Sequence, residues 1–372
     1  DPTEIADRLG WLDSPLQFQK ELPGLEAFAR EVRQQGVKDV VLLGMGGSCL
    51  APEVLRQTFG DQPGHPRLHL LDSTVPAWVK AVTDAIDPAT TLFLVSSKSG
   101  GTIETISFYK HFRALLDQRL GREAAGGHFV AITDPGTSLE HRARDEGFRH
   151  TFLNPESIGG RFSVLSYFGL VPSALAGLDI GRLLERAAAM RERCQPTVSL
   201  AENPGAWLGA VIGAQAVRGR DKLTLYTSPA ISSFGLWVEQ LIAESTGKEG
   251  KGIIPVAGEP LMRPEAYGGD RLFVYMRLES DDNQEMDAHV QRMASAGHPV
   301  VRLDLRDRYD LGGEFFRWEF AIAVAGMVLG INPFDQPNVQ EAKDFTVGML
   351  QDYQRQGHLP RAPKTVSVER LL

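Results

Sequence analysis

Thr91–Thr105 reads TLFLVSSKSGGTIET and changes character in its middle. The run Leu92, Phe93, Leu94, Val95 has the continuous apolar character of a strand buried on both faces, as in a parallel sheet. From Thr102 the spacing turns helical, through Ile103, Ile106, Tyr109, Phe112 and Leu116. Between the two lie Ser96, Ser97, Lys98, Ser99, Gly100, Gly101 and Thr102, a hydroxyl-rich, Gly-hinged turn with one cation. Unpaired backbone N–H groups, the positive end of a helix dipole and several hydroxyl donors would together hold a phosphate. Taken alone, the turn reads equally well as simple capping, with Glu104 in the first helical turn.

The same alternation extends in both directions. The spacing predicts strands at 39–43, 67–72 (RLHLLD), 91–96, 128–133 (HFVAIT) and 149–153, with helices at 49–58, 75–86, 102–120 and 138–146 between them. Strand and helix in regular alternation mean a doubly wound parallel sheet, whose ligands sit beyond the carboxyl ends of the strands. After Leu178 the pattern is helical to about Val217. A second unit then opens with strand 222–227 (KLTLYT), helix 234–245, strands 252–256 and 271–278, helix 283–296 and strand 299–304, ending in helices 312–329 and 337–355. The expected fold class is therefore α/β, two parallel-sheet domains in tandem. The boundaries are an N-terminal arm over 1–24, domains over 25–178 and 179–359, and an extended tail over 360–372.

Composition narrows the function. The chain has 372 residues, long enough for about two domains, and 39 Lys plus Arg against 47 Asp plus Glu leave a net charge of −8. No basic block is present of the kind that nucleic acid or an anionic membrane would require. Cys49 and Cys194 are the two cysteines, too few for a disulfide framework and suited to a reducing cytoplasm. No apolar run approaches the roughly 20 residues of a membrane span. The histidines lack paired ligand spacing, so no metal site is expected.

Four further stretches carry chemistry. Gly44-Met45-Gly46-Gly47-Ser48 joins a strand to a helix, so the Gly47 amide and the Ser48 hydroxyl can approach an anion. The rival dinucleotide fingerprint fails because Cys49 stands where a further Gly is needed. In Gly159-Gly160-Arg161-Phe162-Ser163, a cation at an apolar junction can neutralise developing negative charge, although a lone Arg is more often a surface residue. In the helix containing EQLIAESTGK (239–248), Gln240 and Glu244 are one turn apart on one face. Glu244 also lies near the negative end of the helix dipole, a setting that makes a carboxylate a better general base. The plain alternative is a solvated Glu at a helix end. Asn332-Pro333-Phe334-Asp335-Gln336-Pro337 is a turn into a helix that carries Lys343, itself most simply a solvated lysine.

In order and content, GMGGS, SSKSGGTIET, GGRFS, EQLIAESTGK and NPFDQPNVQEAK resemble the successive signatures of the glucose-6-phosphate isomerase family, enzymes built of two sugar isomerase (SIS) domains. The resemblance runs from about Asp39 to Lys343. It implies a cytoplasmic, homodimeric enzyme of glycolysis and gluconeogenesis that interconverts glucose 6-phosphate and fructose 6-phosphate through an enediolate, without cofactor. It also implies residue roles. Ser48, Ser97, Lys98, Ser99 and Thr102 hold the substrate phosphate, with Gly47 beside them. Arg161 stabilises the enediolate, Gln240 contacts substrate, Glu244 carries the proton, and Lys343 serves ring opening and the sugar end.

Two departures from the family stand out. Its phosphate loop is commonly richer in Thr, where Ser99 and Gly101 stand here, and its ring-opening His beyond the catalytic Glu is missing between Ser245 and Arg277. Glu265, a water and Lys343 are the candidate substitutes, the alternative being an enzyme that acts mainly on open-chain substrate. The chain is also similar to the bacterial form in which this isomerase is fused behind a transaldolase, and the lead-in GWLDSPL (10–16) suits a piece of such a fusion. The competing functional class is a SIS pair that binds sugar phosphate for regulation without turnover; the presence of both Glu244 and Arg161 argues against it. Isomerisation of mannose 6-phosphate as well is a third reading, since epimer choice depends on pocket shape.

Overall fold

The computed structural model describes residues 4–359, apart from the side chains of 338–340 and 343; the tail expected over 360–372 lies outside the described residues. Strands β1 (Asp39–Gly44), β2 (Arg67–Leu71), β3 (Thr91–Ser96), β4 (Phe129–Thr133) and β5 (His150–Leu153) form a parallel sheet in the order β2-β1-β3-β4-β5. Helices α1 (Ser14–Gln34), α2 (Leu50–Phe59), α3 (Pro76–Ala85), α4 (Ile103–Leu120), the short α5 (Arg122–Ala125) and α6 (Ser138–Asp145) accompany it. The central strands β1, β3 and β4 are buried along their whole length, as their unbroken apolar runs require.

Side chains alternate across this sheet with period two. Val40, Leu42, Leu92, Leu94, Val130 and Ile132 enter one core, while Val41, Leu43, Phe93, Val95, Phe129 and Ala131 enter another, beneath Phe108, Phe112 and Leu116 of α4. Helices α7 (Tyr167–Leu175), α8 (Ile180–Arg193) and α9 (Pro204–Val217) lead to a second parallel sheet. Its strands are β6 (Lys222–Thr227), β7 (Ile254–Ala257), β8 (Arg271–Leu278) and β9 (Val300–Leu305), in the order β7-β6-β8-β9. With them come α10 (Phe234–Thr246), α11 (Gln284–Ser295) and α12 (Leu311–Leu329), and the chain goes on to α13 (Pro337–Gln356).

The second sheet also has two faces. Leu223, Leu225, Leu272, Val274 and Met276 pack with α10 and α12, whereas Tyr226, Phe273 and Tyr275 form a separate cluster with Tyr267 and Met293. The α10-side core is continuous with one core of the first sheet through α7, α8 and α12. Leu175, Leu178, Ile180 and Leu183 all belong to it, so the expected boundary at 178/179 falls within a shared core. By contacts, Asp1–Phe334 is one unit holding both sheets, and Asp335–Leu372 is another, holding α13. Among the described residues no helix is long and apolar enough to cross a membrane.

The N-terminal segment corrects the sequence reading. What reads as an N-terminal arm over 1–24 is largely helix, because α1 begins at Ser14. Pro15 suits a first turn, where its missing N–H is no loss, and Pro23 is accommodated inside the helix. Phe18, Leu25 and Val32, seven residues apart, are all buried, and burying each contributes about 1.5–3 kcal/mol. Trp11 also joins the core, 5.3 Å from the ring of Phe162. The Pro-Gly pair at 23–24 resembles a helix boundary and hides that periodicity.

Candidate active site

The order β2-β1-β3 sends the chain in opposite directions from the adjacent strands β1 and β3, opening a crevice beyond their carboxyl ends. Gly44 and Ser96, the last residues of these strands, are register partners. The loops that follow are tied together, since Ser96 Oγ donates to the Ser48 carbonyl at 3.2 Å. Ser97 is buried, and its hydroxyl lies 3.0 Å from that of Thr102. Thr102 occupies the N-cap position of α4 without a side-chain capping bond, so its hydroxyl is not used to cap the helix. An 18-residue helix therefore points an N-terminus with no side-chain cap at the switch point, beside two paired hydroxyls. Gly100, at φ 67, makes this turn, and a Cβ there would come within 2.7 Å of Thr137.

The other half of the cluster comes from distant sequence. Gly46 has φ 53, and a Cβ on it would come within 2.7 Å of Gln240 Nε2; a Cβ on Gly47 would come within 2.2 Å of the Gly160 carbonyl oxygen. The paired glycines thus let the 45–48 loop wedge between α10 and the 3₁₀ turn Gly160–Phe162 that carries Arg161. Arg161 is only 4% exposed. Its guanidinium donates from Nη2 to the Phe334 carbonyl at 2.8 Å and from Nη1 to Ser245 Oγ at 3.2 Å, while Nε lies 3.8 Å from Glu244 Oε2. Gln240 Nε2 donates to the other oxygen of Glu244 at 3.0 Å.

Glu244, Arg161, Gln240, Gly47, Ser48, Ser97 and Thr102 are therefore linked across α10 and three loops, as the contacts above trace. Lys98 lies in the same turn with its ammonium turned to the Asp134 carboxylate and, at 3.2 Å, to the Glu156 carbonyl. Burial pushes the Asp134 carboxyl above its ordinary range, with Lys98 pulling the other way. Ser99 is exposed at the tip. Glu265 is not brought to this cluster within the chain. It sits exposed in the turn Pro264–Ala266, next to Tyr267, which packs on the face of the second sheet opposite α10. The side chain of Lys343, on α13, lies outside the described residues.

Asp134, Ser245, Lys248 and Asn332 escape a reading by residue type, although the last three stand inside quoted motifs; their contribution is hydrogen bonding to neighbours distant in sequence. Among the described residues no three His, Cys, Asp or Glu side chains converge as a metal centre would need. What the cluster offers chemically is a partly exposed carboxylate held beside a buried guanidinium, within one crevice that also has an anion-suited turn.

A sequence model described as phosphoglucose isomerase matches residues 29–253. The glucose-6-phosphate isomerase of Rubrobacter xylanophilus is 32% identical over 398 aligned positions, covering 94% of this chain and 90% of that protein. Its counterpart from Bacillus cereus is 30% identical, covering 92% and 87%. Among solved structures, a glucose-6-phosphate isomerase from Chlamydia trachomatis superposes with a TM-score of 0.76 at 21% identity, over 95% of this chain and 76% of that one, a likeness of fold. With the family match spanning more than half the chain and relatives alike over nearly all of it, the chain belongs to the phosphoglucose isomerase family.

Proposed function

We propose that this chain interconverts glucose 6-phosphate and fructose 6-phosphate, with Glu244 carrying the proton between C2 and C1 of the open-chain sugar. The observation that carries the reading is the pairing of Glu244 with the buried Arg161 in the crevice of a family member. Removing a proton α to a carbonyl needs a positioned carboxylate, and the enediolate left behind needs a fixed positive charge. Arg161 supplies that charge without having to reorganise. Ser48, Ser97, Ser99 and Thr102, with the amide of Gly47 and the start of α4, bind the phosphate. Binding energy gained at that unreactive end positions the other. Lys98 reaches the phosphate by exchanging Asp134 for it, and Gln240 orients both substrate and Glu244.

Ring opening falls to Lys343; Glu265, exposed in the Pro264–Ala266 turn away from Glu244, does not serve it within one chain. The working form is a cytoplasmic homodimer, and sedimentation of the purified protein reads its stoichiometry. The competing reading, a sugar-phosphate-binding regulator, requires that no turnover occur. One coupled assay with fructose 6-phosphate and mannose 6-phosphate separates the possibilities. Turnover of fructose 6-phosphate to glucose 6-phosphate supports the proposal, turnover of both substrates gives a dual isomerase, and saturable binding without turnover contradicts it.

A further inference from the structure

The motifs around Arg161 are joined by a polar circuit that passes through Lys248. This lysine follows Gly247 just beyond the end of α10 and is 6% exposed. Burying an ammonium is costly unless it is hydrogen-bonded, and here Nζ donates to the Asn332 carbonyl at 2.7 Å. Asn332 in turn accepts the Phe334 N–H on its own Oδ1 at 2.9 Å, which gives the 332–334 turn a defined shape. The Phe334 ring packs on Phe162, centroids 5.2 Å apart, and its carbonyl receives Arg161 Nη2. Arg161 closes the circuit on Ser245, in the same helix as Glu244 and three residues before Lys248.

A charge that stabilises an intermediate must already be in place when the intermediate forms, and a displacement of about 1 Å can cost on the order of 10²-fold in rate. The Phe334 carbonyl aims the guanidinium, and Lys248 holds the turn that carries that carbonyl. We propose that Lys248 is a positioning residue for Arg161, acting through the 332–334 turn. This rests on the isomerase reading above.

The test is steady-state kinetics of Lys248→Met on fructose 6-phosphate, alone and combined with Arg161→Lys, in protein shown folded by circular dichroism. The single variant loses about 10- to 100-fold in kcat while KM stays within about 3-fold, because the phosphate turn is untouched. In the Arg161→Lys background the same change costs less than about 3-fold, since the guanidinium it positions is gone. An unchanged kcat in Lys248→Met, or an equally large loss in both backgrounds, overturns the proposal. Should Lys248→Met not fold, Asn332→Ala loosens the same turn from its other side: a loss confined to kcat supports the proposal and an unchanged kcat overturns it. If neither variant folds, the circuit is structural and the proposal falls. No turnover by the unsubstituted chain removes the isomerase reading and this proposal together, whereas normal turnover with an indifferent Lys248→Met removes this one alone.

Discussion

Gln240 and Glu244, one turn apart on α10, are joined by a hydrogen bond from Nε2 to Oε1 at 3.0 Å, and the other carboxylate oxygen, Oε2, lies 3.8 Å from Arg161 Nε. The carboxylate is thus oriented from two sides. Hydrogen bonds to charged groups contribute about 1.5–3 kcal/mol. Gln240→Met, which keeps bulk and loses the donor, should therefore lower kcat/KM by about 10- to 100-fold. A variant within about 2-fold of the parent would mean that Gln240 does not orient the base.

The phosphate turn makes a separable prediction. Ser97 and Thr102 share a hydroxyl contact at 3.0 Å, and neither hydroxyl is spent on capping α4. Replacing both by Ala should raise KM by at least about 10-fold and weaken competitive inhibition by inorganic phosphate in parallel, while kcat changes less. An unchanged KM would move the phosphate elsewhere.

Gly47 and Gly160 should respond differently to the same substitution. A Cβ on Gly47 would meet the Gly160 carbonyl at 2.2 Å, whereas one on Gly160 would have nothing within 4 Å. Gly47→Ala must push the two loops apart, and overpacking of this kind costs about 1–3 kcal/mol. Thermal melting should fall for Gly47→Ala and hold for Gly160→Ala. Equal melting temperatures would contradict the close approach of the 45–48 loop to the Arg161 turn.

The second sheet predicts a pH effect on stability. His289 is 1% exposed on α11, its Nε2 3.1 Å from the Tyr226 hydroxyl, and burial lowers its pKa from 6.5, with Arg292 adding to the effect and Glu285 opposing it. The imidazole stays neutral in the fold while the unfolded chain takes up a proton. The stability this contributes is full above about pH 6.5 and is lost as pH falls below it. Melting between pH 7.5 and about 5.5 should show a decline that His289→Gln makes shallower. An identical slope in the variant would assign the decline to other groups.

Most of the strand and helix pattern is legible from apolar periodicity, because each central strand is buried on both faces and each amphipathic helix has one core to serve. The α1 helix is the exception, since Pro15, Pro23 and Gly24 carry the local signals of irregular chain while Phe18, Leu25 and Val32 respond to a core built from residues far along the sequence. The same division holds at the site. Glu244 and Gln240 announce themselves by helical spacing, and the phosphate turn by its hydroxyls and glycines. The Lys98–Asp134 pair and the hold of Phe334 and Ser245 on Arg161 join residues between 36 and 173 positions apart, and no local pattern encodes such partners. The backbone carbonyl of Phe334, moreover, is invisible to any reading by residue type.

The central claim is that Glu244 moves the proton, and solvent exchange reads that step directly. Fructose 6-phosphate incubated with the enzyme in D₂O should yield glucose 6-phosphate carrying deuterium at C2, followed by proton NMR. Glu244→Gln should bind sugar phosphate as the parent does yet lose both turnover and deuterium incorporation by at least about 10². Incorporation by Glu244→Gln at close to the parent rate would contradict the account.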